Sequence, residues 1–406
     1  MACSLELIDM ETKIITVNRN ILWAKVWSIA AMQGAITLAW VIYKLYLPLL
    51  LVELGLAKEL AVTLLIIENA LETLIEPIFG ALSDRQQRIF GSKVPIISIG
   101  AILSSALFIV IPAVTIFSSK NDFSQWFFIV LVIFWASVMA VFRTPAMSLL
   151  GRCASTEVLP QAASILTLVG GVIGAFRFDV YGLIVNIGAG FAFTIGSLAL
   201  LGAAALLRLF NSPGLGIVSQ SQSTRISLPK LGLIFLTGMS ISWGLRFLIP
   251  TISQVLTMEL GEANTKLAMT LFFVVLGLAA LPAGKIASRL GNSQGMTIGG
   301  LGTVIVLLTL LLIPDGLFKL IAIAVLLLFF SLILNGAVPF ALGLVPESHG
   351  GLGVGMYFGG FGGGISLFDF LATKVGELSI ETGAISGSIA FLLALLYVAI
   401  ATQIKN

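Results

Sequence analysis

The sequence predicts an all-α membrane protein of twelve transmembrane helices, arranged as two six-helix pseudo-repeats. Three observations carry that expectation. The chain has 406 residues, 58% of them hydrophobic and only 10% charged, with a mean hydropathy of +1.09, whereas soluble domains carry about a quarter charged residues. Apolar segments of roughly 20 residues recur along the whole length, long enough for helices and too long for barrel strands. Features of the first half also return in the second at offsets near 200 residues.

Apolar runs between polar breaks place the first six spans at residues 23–48, 58–82, 94–117, 124–149, 158–178 and 181–208. A polar stretch from Asn211 to Lys230 follows, rich in Ser, Gln, Gly and Pro. The second six spans fall at 231–257, 264–287, 294–314, 317–345, 351–373 and 383–402. The expected organisation is an N-terminal bundle over 1–210, a linker loop over 211–230 and a C-terminal bundle over 231–406. The start, MACSLELIDMETK, lacks a basic region followed by an apolar core, so a cleavable signal is not expected. Cys3 and Cys153 are too few for a disulfide framework.

Basic residues set the expected orientation. With both termini on one side, that side receives Lys13, Arg19, Lys25, Arg85, Arg88, Lys93, Arg143, Arg152, Arg208, Arg225, Lys230, Lys285, Arg289 and Lys405. The opposite side receives Lys58, Lys120, Arg177, Lys266, Lys319 and Lys374, while Lys44 and Arg246 fall within spans. Fourteen against six places both termini and the 211–230 loop in the cytoplasm. A net charge of +3, with its basic residues scattered over helix ends, gives no hint of nucleic acid.

The halves echo each other in three places. Gly80-Ala-Leu-Ser-Asp84-Arg85 ends the second span and Gly284-Lys-Ile-Ala-Ser288-Arg289 ends the eighth. Lys44 stands four residues before Pro48 in the first span, and Arg246 four before Pro250 in the seventh. Gly170-Gly171 precedes Phe178-Asp179, as Gly359-Gly360 precedes Phe368-Asp369. Parallel six-helix repeats with a solute site between them are a known transporter plan.

The chemistry concentrates in the second span. Glu68, Glu72 and Glu76 share one helix face inside an otherwise apolar stretch, at i, i+4 and i+8. An ionised carboxylate near the bilayer centre costs about 2.5–3.5 kcal/mol unless it is protonated, paired or wetted. The row therefore predicts a water-accessible cavity where glutamates bind a proton or cation. Glu76 precedes Pro77, which donates no backbone hydrogen bond and leaves a free carbonyl in the preceding turn. The rival reading is a salt bridge, chiefly between Glu68 and Lys44.

The segment Glu76-Pro77-Ile-Phe-Gly80-Ala-Leu-Ser-Asp84-Arg85-Gln-Gln-Arg88-Ile-Phe-Gly91-Ser-Lys93-Val-Pro95 resembles the loop 2–3 signature of the major facilitator superfamily (MFS). In its longer form it is similar to the glycoside–pentoside–hexuronide cation symporters and the related sucrose transporters. Phe142-Arg143-Thr144-Pro145 is similar to the end of the fourth span in the same symporters. The resemblance implies that Glu72 and Glu76 help bind the coupling cation, and that Gly80, Asp84, Arg85 and Arg88 form an inner gate. It implies that Arg143, with the gate residues, holds the inner end of the bundle by hydrogen bonding to carbonyls or acids, where the alternative role is a positive-inside anchor. Asp84 can accept from a neighbouring helix N-terminus or pair with an arginine. The second copy has Ser288 in place of Asp, so a charged latch would be one-sided.

The resemblance also places the first and seventh spans around the cavity. Gln33, Trp40, Lys44, Trp243 and Arg246 are the candidate lining residues. Trp40, Tyr43, Tyr46 and Trp243 could serve as platforms for a sugar ring. Lys44 and Arg246 could alternatively receive an organic anion in an exchanger, or the fold could serve a non-transporting role in assembling or delivering pigment–protein complexes. Gly351, Gly355, Gly359 and Gly363 form a ladder that suits close helix packing. No catalytic, nucleotide-binding or metal-ligand motif is present, so neither an enzyme nor a resident cofactor or metal is expected. The expected protein is a monomeric secondary transporter in the inner or plasma membrane. Its partners would be the lipid bilayer and a small solute, most simply a sugar, with proton or sodium as coupling ion.

Overall fold

The computed structural model describes residues 21–117, 119–178, 181–211, 226–376 and 378–404. Twelve long helices follow one another and no strand occurs among the described residues. They are α1 (Trp23–Glu53), α2 (Leu60–Phe90), α3 (Val94–Phe117), α4 (Asp122–Ser148), α5 (Leu159–Gly174), α6 (Ala189–Phe210), α7 (Leu228–Leu260), α8 (Glu262–Leu290), α9 (Asn292–Thr309), α10 (Leu317–Gly343), α11 (Gly350–Val375) and α12 (Ile380–Gln403). Each overlaps one expected span, and most extend a turn or two further because helices continue past the apolar zone. The fifth span differs. After Gly174 it tightens into the 3₁₀ turn Ala175–Arg177, and a separate short helix, Tyr181–Asn186, precedes α6. Gly188, at φ +83°, makes the break that the single expected span 181–208 lacked.

Side chains such as Phe117, Phe191, Leu74 and Leu312 project outward from the bundle, as lipid-facing positions should. Among the described residues, nine of the helices are long and apolar enough to cross a membrane by length and composition. The others are α2, which carries the glutamates, and α9 and α11. Buried apolar side chains gather into a core drawn almost entirely from α1–α6 and a second from α7–α12. Residues 1–20, 212–225, 405 and 406, and with them Lys13, Arg19, Arg225, Lys405 and most of the expected linker, lie outside the described residues, as does Asp179.

The two bundles meet along α2–α11 and α5–α8. On α11 the glycine ladder makes this possible. A Cβ on Gly355 would lie 2.4 Å from the Glu76 carbonyl oxygen, and one on Gly351 2.5 Å from that of Gly80. A Cβ on Gly359 would lie 2.9 Å from the Thr73 carbonyl, the one left without an intrahelical donor by Pro77. That carbonyl therefore packs against α11. On the α5–α8 side Gly171 and Gly277 bring backbone onto backbone in the same way.

The ends of α2, α4, α6 and α8 carry Arg85, Arg88, Arg152, Arg208, Lys285 and Arg289, and alternation along the chain puts them on one face, here called the basic side. The halves are closed there. On the far side no extensive contact joins α1 and α7.

Candidate functional site

The glutamate row is buried where α2 faces its own bundle: Glu68, Glu72 and Glu76 are 1%, 5% and 0% exposed. Three partners come from other helices. Arg143 of α4 reaches across to α2, its guanidinium 2.9 Å from Glu72 Oε2 and 2.5 Å from Glu76 Oε1. Thr144, the next residue, donates its hydroxyl to Glu76. Tyr43 of α1 donates its phenol to Glu68. Pro145 lies just beyond within the same helix.

Arg143 thus sits among buried carboxylates and is not an anchor at the loop. The alternative of a positive-inside role fails on that geometry. The Glu68–Lys44 bridge does not form either. Lys44 is exposed and its Nζ lies 5.2 Å from the centroid of the Trp40 ring.

A cavity of about 420 Å³ lies between the halves directly beside this cluster. Gln33, Trp40, Arg143, Thr167 and Arg177 supply polar groups from the first half, and Tyr357 from the second. Phe273, Phe358 and Phe361 give it an aromatic wall. Arg143 carries both environments at once, with its guanidinium carbon 4.9 Å from the Phe358 ring centroid. Among the described residues, the buried Gln33 Oε1 and Trp40 Nε1 find no hydrogen-bond partner. Both residues line the cavity.

Other sequence candidates have structural duties. Trp243 donates its indole N–H to the Gly364 carbonyl at 2.8 Å and is not in the cavity wall. Arg246 pairs with Asp369 of α11. Tyr43 is buried against Glu68, and Tyr46 donates to the Ile184 carbonyl at 2.6 Å, so neither presents a platform.

Closure of the basic side centres on Asp84. Its two oxygens accept from the backbone N–H groups of Gly351 and Leu352, each at 2.8 Å. These are orphan donors of the first turn of α11, so Asp84 caps a helix of the other half. Gly80 stands beside this contact, with no room for a side chain. The cation that completes the latch is Lys93, 2.6 Å from Asp84 and 2.8 Å from Ser148 Oγ. Burial pushes the Lys93 ammonium below the ordinary lysine value, and the Asp84 carboxylate pulls it back up. Arg85 and Arg88, expected in the gate, are exposed. In the second half Ser288 occupies the Asp84 position, and its buried hydroxyl has no partner among the described residues.

Sequence reasoning missed Thr144, Lys93 as the latch cation, Arg177 and Asp369. Lys93 carried a signal, since it was the last basic residue before Pro95. Arg177 looked like any helix-end cation.

No family model matches the chain, and no curated protein matches it at a significant level. Solved structures do. A bacterial homologue of the iron transporter ferroportin, in an outward-facing state, superposes with a TM-score of 0.74 at 14% identity, covering 94% of this chain and 100% of that one. FucP, an MFS transporter in the outward conformation, gives 0.70 at 14% identity over 93% of this chain and 99% of its own. A variant of the E. coli fucose:proton symporter FucP gives 0.65 at 14%, over 93% and 98%.

The fold is that of the major facilitator superfamily. In MFS terms α1–α6 and α7–α12 are the two six-helix repeats, and the cavity lies at their interface. Gln33, Trp40 and Arg143 line that cavity, and Glu72 and Glu76 stand behind Arg143. Lys44 stands over the ring of Trp40, which lines the cavity, and Arg246 is within electrostatic reach of Lys44.

Proposed function

We propose that this protein is a secondary active transporter working by alternating access, with a proton or sodium ion bound at Glu72, Arg143 and Glu76. One observation carries the reading: two buried carboxylates share one arginine at the wall of the central cavity. Ionised together, they leave one negative charge without compensation at membrane depth, where such a charge is expensive. A bound proton or monovalent cation neutralises it.

The cluster is also placed to act on the halves. Glu76 contributes the carbonyl that Gly355 packs against, and the Glu72 side chain lies against Gly362. Changing the ion occupancy changes the charge beside the α2–α11 contact, along which the halves must rock. With the orientation expected from the basic residues, the closed basic side is cytoplasmic and the cavity faces outward, in an inner or plasma membrane.

Fold alone does not name a solute. A sugar is supported by the unpartnered Trp40 indole N–H and Gln33 carbonyl oxygen, which offer a donor and an acceptor beside an aromatic face. Fucose:proton symport by a structural neighbour points the same way. The test is uptake into proteoliposomes of a panel of labelled sugars and sugar acids, under imposed pH or sodium gradients. Accumulation should require one of the gradients and vanish in Glu76→Gln. Accumulation indifferent to both gradients would overturn the reading.

A further inference from the structure

Above the cavity floor, three cations gather at the far-side mouth. Arg177 follows α5 and lines the cavity. Lys44 of α1 and Arg246 of α7 are within electrostatic reach of each other, and each is within reach of Arg177. Like charges at such spacing repel, and side chains this long could separate if nothing held them.

What holds Arg177 is aromatic. Its guanidinium carbon lies 4.2 Å from the Phe273 ring centroid and 4.8 Å from that of Phe178. Those two rings stack at 5.5 Å, one from each half of the protein. A guanidinium held against aromatic rings is fixed in position while keeping N–H groups for a planar acceptor.

The carboxylates nearby are engaged elsewhere. Asp369 pairs with Arg246. Glu68 is buried beneath the Tyr43 phenol, and Glu72 and Glu76 hold Arg143. Among the described residues no carboxylate forms a salt bridge with Arg177 or with Lys44. Among the described residues the mouth therefore keeps two cations in excess, next to a wall built of Trp40, Phe273 and Phe361.

We propose that the cavity mouth is an anion-recognition site centred on Arg177, with Lys44 assisting, and that the solute is a small organic anion. A carboxylate or phosphate group would take the Arg177 fork, while an apolar or ring portion packs on the aromatic wall. The inference rests on the cavity being the solute site, and it narrows the solute from any sugar to an acid.

The test uses the full-length purified protein carrying Cys3→Ser and Thr167→Cys, which puts one reactive thiol in the cavity wall. Its modification rates with an anionic methanethiosulfonate (the ethylsulfonate) and a cationic one (the ethyltrimethylammonium) are each divided by the rate for a free thiol. The anionic reagent should be favoured about tenfold at low ionic strength. That preference should fall at least threefold in Arg177→Gln and in Lys44→Gln, and be kept in Arg177→Lys. Glucuronate or glucose 6-phosphate should slow the reaction while glucose does not, and whichever acid protects separates carboxylate from phosphate.

Arg177→Lys should weaken that protection although it keeps the charge, because the planar fork is lost. A rate preference near one, a preference unchanged in both neutral variants, protection by neither acid, or equal protection by glucose would each overturn the proposal. No ion gradient enters the measurement, so a failure of coupling at Glu72 and Glu76 leaves its result intact.

Discussion

Arg143 and Glu76 come from neighbouring helices of one bundle and meet at 2.5 Å, the carboxylate fully buried and the guanidinium at the cavity wall. The same guanidinium lies over Phe358 of the opposite bundle. One side chain thus links the buried carboxylates, the cavity wall and the interface between halves.

Removing Arg143 should therefore be worse than removing either acid. Breaking a buried pair by deleting one partner costs about 3–5 kcal/mol, because the other charge is stranded. Arg143→Gln strands two carboxylates, whereas Glu76→Gln still leaves Arg143 with Glu72. Thermal unfolding of the purified protein should rank Arg143→Gln below Glu76→Gln. The double variant should recover part of the loss, since it strands one carboxylate fewer. Additive losses in the double variant would show that the pair is not coupled.

The latch gives a second expectation. Asp84→Asn keeps an acceptor for one α11 N–H but abolishes the charge that Lys93 and the helix terminus share. The basic side should then open more often, exposing a thiol introduced at Met147 in the cavity wall to an impermeant reagent from that side. Lys93→Met should do the same, while Arg85→Gln should not, since Arg85 is exposed. Equal accessibility in all three would leave Asp84 without a gating role.

How much of this was visible in the sequence depended on range. Helix positions followed from apolar runs, and the glutamate face followed from four-residue spacing within one helix. The glycine ladder likewise announced close packing, because small residues at that period have few other uses on a membrane helix. What stayed hidden were partners set by tertiary packing. Arg143 lies 71 positions from Glu72, and nothing local distinguishes an arginine that turns inward from one that anchors a loop. Trp243 erred the opposite way. Its span was placed beside the cavity, but side-chain direction consigned it to the Gly364 carbonyl.

Gly355 offers a purely steric test. A methyl group there would meet the Glu76 carbonyl at 2.4 Å, backbone against backbone, so neither side can yield by a rotamer change. Gly355→Ala should destabilise the basic-side-closed arrangement by about 1–3 kcal/mol, the usual range for overpacking. Gly232→Ala, in open space on α7, is the control and should be neutral. Matching thermal stabilities and accessibilities for the two variants would contradict the close α2–α11 approach.

The coupling role of the carboxylates predicts graded phenotypes. Glu72→Gln and Glu76→Gln should each abolish gradient-driven accumulation while sparing counterflow or binding. Glu68→Gln should be milder, because Glu68 is held by Tyr43 and lies apart from Arg143. Assays of accumulation and counterflow in each variant check this order.

The most direct test of ion coupling needs no knowledge of the solute. Spin labels at Arg152 and Arg289 report the separation of the halves on the basic side, and labels at Glu53 and Met258 report the far side. Distances measured by double electron–electron resonance in the wild type should shift as pH is lowered or sodium added, with the two sides moving in opposite senses. Both shifts should disappear in Glu72→Gln, Glu76→Gln. Distances that ignore pH and sodium in the wild type, or that still respond in the double variant, would contradict an ion site at Glu72, Arg143 and Glu76.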